Sequence, residues 1–374
     1  MADATGKGLE GVVAAQTRIS DVDGREGKLF YAGYDIADLA ANATFEETIH
    51  LLHHLELPTA AELSETVATL RAESNLDGLL VDLIGALAER TGPMTALRTA
   101  VSAAAALEPD DDDSDEANLR KAYRLMAKTP QIIATYQRLR TGGDAVEPRD
   151  DLGVAANFLH ALTGKQPDPQ VSRDFDVVLV LYADHTLNAS TFAGRVAAAT
   201  LADMYAAATA AVATLQGPLH GAAIEGVREM LEEIGTPDRA PDWVRERLAA
   251  KQKVMGFGHR VYKTWDPRAT VLREIAERLG RQFGETSWFE ISVRVQESVM
   301  EAKRLYPNVD FYTASVYSAL GLPPDLYTAL FAAARMAGWT AHIREQYADN
   351  RLIRPDSEYV GPEPRAWKPL ESRG

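Results

Sequence analysis

Residues 254–268 set His259 between a glycine-bearing turn, Gly256-Phe257-Gly258, and two cations, Lys263 and Arg268. Glycine lets a backbone approach a ligand closely or take positive φ, and Pro267 disfavours an unbroken helix through Arg268. An imidazole beside an ammonium and a guanidinium suits acid–base work on a multiply anionic substrate. Taken alone, the run equally suits a basic surface turn. Three other stretches carry groups of the same kind. Residues 179–192 pass from an apolar segment into Asp184-His185, then Asn188 and a candidate cap at Ser190; a histidine there serves either a ligand or the core. Gln216-Gly217-Pro218-Leu219-His220-Gly221 stops one helix and opens another. A helix N-terminus would keep His220 neutral and able to donate one hydrogen bond, although it would serve as well to complete a turn. Asp310 stands between Pro307-Asn308 and an aromatic, mostly apolar helix start. Such surroundings raise a carboxylate toward a useful base; in isolation it reads first as a helix cap. Arg335 interrupts a small-residue apolar face, where an unpaired charge is costly.

The elements that must position these groups are mainly helical. Before them, residues 11–34 alternate as a β-hairpin, with 12–20 and 28–31 flanking the tight-turn pair Asp23-Gly24. From Ile36 onward the spacing is helical. Thr44 is placed to cap a helix with Glu47 three residues on. Further helices are expected at 61–74, 76–90, 94–107, 116–127, 129–140 and 150–163. A long alanine-rich helix follows Ser190 and ends at Gly217-Pro218; more helices are expected at 269–283, 288–305 and 325–347. His50, His53 and His54 have metal-like spacing, but their amphipathic setting predicts a partly exposed helix face and no chemistry. The tail, with Asn350-Arg351-Leu352-Ile353-Arg354-Pro355, is extended and proline-rich, suited to lie along another surface.

The 374 residues suffice for two domains sharing a substantial core. The chain has no cysteine, which excludes disulfides, thiolate metal sites and thiol nucleophiles. A net charge of −15 opposes nucleic acid as a main partner. The acids at Asp110-Asp111-Asp112-Asp113, Asp115 and Glu116, with arginine outnumbering lysine, fit either adaptation to high salt or a solvated loop. The polar N-terminus lacks a signal peptide's apolar run, and the apolar stretch 196–215 contains Asp203, so a cytoplasmic protein without a membrane span is expected.

Together the stretches form one pattern. Tyr182-Ala183-Asp184-His185 with Asn188, Gly217-Pro218-Leu219-His220-Gly221, Gly256-Phe257-Gly258-His259 with Asp266-Pro267-Arg268, Pro307-Asn308-Val309-Asp310-Phe311-Tyr312 and Leu352-Ile353-Arg354-Pro355 resemble citrate synthase in order and spacing. The likeness runs from Leu9-Glu10-Gly11-Val12 to Tyr359-Val360-Gly361. It is to the short dimeric type of archaea and Gram-positive bacteria, without the N-terminal extension of the hexameric, NADH-regulated enzymes. The resemblance implies a mainly α fold in two domains: residues 1–221 and 322–374 form the large one, and 222–321 a small mobile one. It implies condensation of acetyl-CoA with oxaloacetate, with 2-methylcitrate synthase, using propionyl-CoA, and a non-catalytic sensor as rivals. By the family's roles Asp310 is the base, His220 stabilises the enol(ate) and His259 polarises the ketone. His185, Asn188, Arg268 and Arg335 hold oxaloacetate, joined by Arg354 from the partner of a homodimer. Gly256, Phe257, Gly258 and Lys263 contact coenzyme A. No metal or redox cofactor is implied. Thr313 and Ala314 stand where relatives often carry serine or glycine, and Arg344 adds a charge to a usually apolar stretch.

Overall fold

The computed structural model describes residues 7–373 apart from Glu10 and Glu108; residues 1–6, and with them most of the polar start, and Glu10 of the opening tetrad lie outside that range. The described residues form sixteen α-helices and one small antiparallel sheet of strands β1 (Ser20–Asp23), β2 (Lys28–Tyr31) and β3 (Tyr34–Asp35). Only the end of the expected first strand pairs, with Ser20 opposite Tyr31 and Asp23 opposite Lys28. After Ala32 N–H donates to the Ile19 carbonyl at 2.8 Å, the chain turns back at Ala32-Gly33 into β3, so β2 offers no partner to residues before Ile19, and Val12 and Val13 stay exposed. The expected two-residue turn is a four-residue loop, Gly24-Arg25-Glu26-Gly27. The Asp23 carboxylate shapes it by accepting from the Arg25 and Glu26 amides, each at 2.9 Å.

Helix starts follow the sequence closely. Thr44 and Glu47 close a reciprocal capping box on Phe45–His54. Three expectations need correction. The helices expected at 116–127 and 129–140 are one, Asp115–Arg140, running through Pro130. Thr129 Oγ1 donates to the Leu125 carbonyl at 2.6 Å, putting a side-chain donor beside the one proline removes, and packing on both sides holds the turn. The alanine-rich stretch is two helices, Ala189–Ala198 and Met204–Leu215. Asn188, not Ser190, caps the first; Leu201 takes positive φ and Asp203 caps the second. Small residues then let the two antiparallel helices pack closely, a Cβ on Gly194 lying 3.5 Å from the Ala207 carbonyl. His50 and His53 are buried, not on an exposed face. His50 Nδ1 meets Thr66 Oγ1 at 3.1 Å and His53 Nε2 meets Thr340 Oγ1 at 3.2 Å, because their helix lies between two others.

The last helix, Tyr327–Ala348, is the axis of the core. It follows a 3-10 turn at Pro324–Leu326 and is buried from Tyr327 to Ile343. It packs on Asp115–Arg140, Pro169–Tyr182, Ala189–Ala198 and Met204–Leu215. Beyond it, residues 350–369 have no regular structure and are almost wholly exposed. No helix among the described residues is long and apolar enough to cross a membrane.

Candidate functional site

Four chain segments deliver polar side chains to one cleft beside that axial helix. The first is the loop after Pro169–Tyr182. Asp184 is fully buried there, and its Oδ2 accepts from the Ser20 hydroxyl, the Thr186 amide at 3.0 Å and His342 Nε2 at 3.3 Å. Burial works against its charge, but His342 and these donors hold the carboxyl below its ordinary value. Tyr31 clasps the same residue, donating to its carbonyl at 2.9 Å and accepting from its amide at 3.1 Å. His185, thus fixed, lies 3.4 Å from the Tyr262 hydroxyl and edge-on to His259, ring centres 5.1 Å apart. Burial, then the Arg268 charge, keep it well below the usual histidine range.

The second segment carries His220. Its Nε2 is 2.7 Å from the Ser190 hydroxyl and accepts from the Ser190 amide at 3.3 Å. A backbone amide only donates, so Nε2 is the lone-pair nitrogen and Nδ1 carries the proton. Trp339 Nε1 donates to the same hydroxyl at 3.0 Å, which locks the arrangement. Burial and the Arg335 charge push the His220 pKa down to about 4. The expected neutrality therefore has burial as its main cause, and the helix begins only at Ala223.

The third and fourth segments are joined. Gly256 and Gly258 both take positive φ, at 78° and 80°, and a Cβ on Gly256 would lie 2.8 Å from Phe311. Gly258 donates to the Tyr306 carbonyl at 3.0 Å, and Asn308 donates to Gly256 at 2.9 Å. The Asn308 side chain does two jobs. Its Nδ2 donates to the Gly258 carbonyl at 3.2 Å, while its Oδ1 accepts from Asp310 N–H at 3.1 Å and caps Val309–Ala319. Asn308 is therefore the cap, which frees the Asp310 carboxylate for other work.

His259 Nδ1 accepts from the Val261 and Tyr262 amides at 3.1 and 3.2 Å, so Nε2 carries the proton. Burial, then Arg268, lower its pKa to about 4. Asp310 accepts from the Tyr182 hydroxyl at 3.2 Å. Burial raises its pKa to about 6, against the opposing pull of Arg268 and that hydroxyl. Two cations complete the cleft. Buried Arg268 donates to both oxygens of Asp266, at 2.9 Å from Nε and 2.7 Å from Nη2. Arg335 donates through Nε to the Tyr182 carbonyl at 2.8 Å and stacks over Phe331 at 4.8 Å; it pairs with no carboxylate among the described residues. Burial lowers its pKa, so a bound anion would relieve a real cost.

His185, His220, His259, Arg268, Asp310 and Arg335 thus share one cleft, with Asn188 at its edge as a helix cap whose Oδ1 accepts from the Ser190 and Thr191 amides, each at 3.1 Å. Lys263 lies on the exposed flank, its ammonium bonded back to the Arg260 carbonyl at 3.2 Å. Arg354 is not in the cleft. It is exposed on the tail, 3.6 Å from Asp356. Tyr182, Tyr262 and Phe331 had no role expected from the sequence, and Ser190 only that of a cap. Phe331 touches Tyr182, ring centres 4.6 Å apart, and faces His220 at 6.3 Å. Its signal is its place one helical turn before Arg335.

Residues 8–356 match the family model described as citrate synthase, C-terminal domain. A Bacillus subtilis (strain 168) protein named citrate synthase 2 is 49% identical over 98% of this chain and 99% of its own. The Haloferax volcanii citrate synthase is 47% identical over 98% of each chain. Among solved structures, the citrate synthase of Thermoplasma acidophilum, in ternary complex with carboxymethyl coenzyme A and oxaloacetate, superposes with a TM-score of 0.93 at 35% identity, covering 98% of this chain and 99% of that one.

Proposed function

Since the chain belongs to the citrate synthase family and acts as a citrate synthase, an acyltransferase joining acetyl-CoA to oxaloacetate, we propose that Asp310, His220 and His259 divide the reaction among them. A thioester methyl is far too weak an acid for a carboxylate unless the developing enolate is stabilised at the same moment. Asp310, ionised above about pH 6, takes the methyl proton while His220 Nδ1–H donates to the thioester oxygen. The enol carbon attacks the oxaloacetate ketone, whose oxygen gains a proton from His259 Nε2–H. Arg268, Arg335, His185 and Asn188 orient the dicarboxylate. Gly256, Phe257, Gly258 and Lys263 hold coenzyme A. Water then cleaves the citryl thioester to citrate and free CoA, and no step calls for a metal or redox group.

The observation that carries this reading is the pair of backbone contacts made by the two imidazoles, from which their tautomers follow. His220 Nε2 accepts from one backbone amide and His259 Nδ1 from two, leaving the proton of each ring on its other nitrogen. The test pairs oxaloacetate with acetyl-CoA or propionyl-CoA and follows thiol release. Faster turnover with acetyl-CoA is expected; preference for propionyl-CoA would mark a 2-methylcitrate synthase, and no release a binding protein.

The tail supports a homodimer in which Arg354 serves the partner's cleft, and residues 222–321 are the unit proposed to close over substrate. A guanidinium gripping a carboxylate in two places is hard to replace. Mixing inactive Asp310→Asn with inactive Arg354→Ala subunits should then restore activity, since each heterodimer holds one intact site. Heterodimers that form and stay inactive would refute the shared site.

A further inference from the structure

The N-terminal sheet grips both sides of the cleft. At its base, the Ser20 hydroxyl donates to Asp184 and accepts from the Thr186 amide at 3.1 Å, fixing the loop that carries His185. At its tip, the Gly24 carbonyl accepts from Lys263 N–H at 2.8 Å. A Cβ on Gly24 would overlap the Val261 carbonyl, and one on Gly27 would lie 2.6 Å from the Trp265 carbonyl. The tip therefore brackets residues 261–265 backbone to backbone, at a separation only glycine allows. Those are the residues whose Val261 and Tyr262 amides hold His259 Nδ1, and they lead directly into Asp266 and Arg268.

We propose that the sheet tip, Gly24 to Gly27, is a positioning element for His259 and thereby for oxaloacetate. This rests on the reading of His259 as the group that polarises the ketone. The tip belongs to residues 1–221 and the bracketed segment to 222–321. The contact thus crosses the proposed domain boundary and sets where the His259 loop comes to rest. Asp23 keeps the tip in shape through its two amide contacts.

Gly24 isolates the contact, because its φ lies outside the positive range and the three atoms nearest an added methyl all belong to Val261. Gly33, with φ of 90° and nothing within 4 Å of a built Cβ, is the complement: alanine there strains the sheet and leaves the contact alone. The experiment compares Gly24→Ala, Gly33→Ala and the parent in oxaloacetate KM, kcat, melting temperature and amide exchange at Val261 and Tyr262. Gly24→Ala should raise KM and lower kcat, cutting kcat/KM by about 10- to 100-fold as expected for a misplacement near 1 Å, with faster exchange at both amides. Gly33→Ala should lower the melting temperature and keep parental kinetics. Parental KM, kcat and exchange in Gly24→Ala would overturn the proposal. So would an equal kinetic loss in Gly33→Ala, which would trace the effect to sheet stability. If Gly24→Ala does not fold, Asp23→Ala carries the test: it loosens the tip without a clash and should raise KM by roughly 3- to 10-fold, and parental values overturn the idea. The exchange readings need no turnover, so an inactive parent would refute the functional reading separately from the contact.

Discussion

Asp310 and Asp176 are two carboxylates that burial has perturbed in the same direction, to about 6 and about 7. Only one sits among groups that could use it. Asp176, on the Pro169–Tyr182 helix, is raised by burial and then by the Glu46 charge. It is nonetheless fully occupied: it accepts from the Phe45 amide at 3.0 Å, and Arg173 Nη1 donates to it at 2.7 Å. Arg173 in turn donates to the Ala40, Ala41 and Ala43 carbonyls, so the cluster stitches three helices together. Asp310 has one hydroxyl partner, Tyr182, and feels the charges of the Arg268 and Arg335 guanidiniums. A raised carboxyl therefore marks burial; spare acceptor capacity beside poised donors marks chemistry.

The sharpest way to break that contrast is to neutralise each carboxylate in turn. Asp310→Asn should lower kcat by about 10³-fold, within the usual reach of a general base, while oxaloacetate binding stays largely intact. Asp176→Asn should keep parental turnover. Equal activities in the two variants would dissolve the distinction. Stability gives an independent reading. A carboxyl raised in the fold binds its proton more tightly folded than unfolded, so its contribution is complete below the unfolded pKa of 3.8 and is lost as pH rises through the folded value. Asp310→Asn should thus melt above the parent at pH 8, and the advantage should shrink toward pH 4. A variant that melts lower across that range would contradict the burial account.

A smaller effect tests the one partner Asp310 has. The Tyr182 hydroxyl favours the ionised carboxylate, so Tyr182→Phe should move the acid limb of kcat/KM upward from near pH 6, by up to about one unit for one lost hydrogen bond. An unmoved limb would mean that another group sets it. The smallest effect concerns carboxylates of a third kind, exposed Asp111, Asp112 and Asp113 on a chain of net charge −15. Their repulsion is long-range and screened as the Debye length falls from about 10 Å at 0.1 M salt to about 3 Å at 1 M. Melting temperature and activity should rise with potassium chloride, whereas the limb set by Asp310 should hardly move. A flat response to salt would make the acidic surface incidental.

The legibility of these features from sequence follows their physics. Asp184-His185, His220, His259 and Asp310 announce themselves because each sits where a helix stops or starts, and glycine, proline and asparagine punctuate such places. The Thr44–Glu47 box was readable for the same reason. Boundaries decided by packing were not. Pro130 reads as a break, yet buried neighbours on both sides hold its helix together. Leu201 and Asp203 split an alanine-rich run that periodicity alone sees as continuous. The alternation before Ser20 promises a strand that finds no free edge. Partners supplied across the fold, such as Tyr182 to Asp310 or Ser190 to His220, join residues 128 and 30 positions apart, which no local pattern records.

Asn308 gives the cleft a property that neither loop has by itself. With its side-chain oxygen it caps the helix of Asp310, and with its side-chain nitrogen it ties the turn that leads to His259. Asp310 and His259, the proposed proton acceptor and ketone donor, are thereby bolted to one part, and displacing either drags the other. For anyone recombining this chain with a relative, residues 256–268 and 306–313 are a single inheritable cassette: exchanged together they keep their mutual spacing, and exchanged separately they meet across a seam that Asn308 no longer fits.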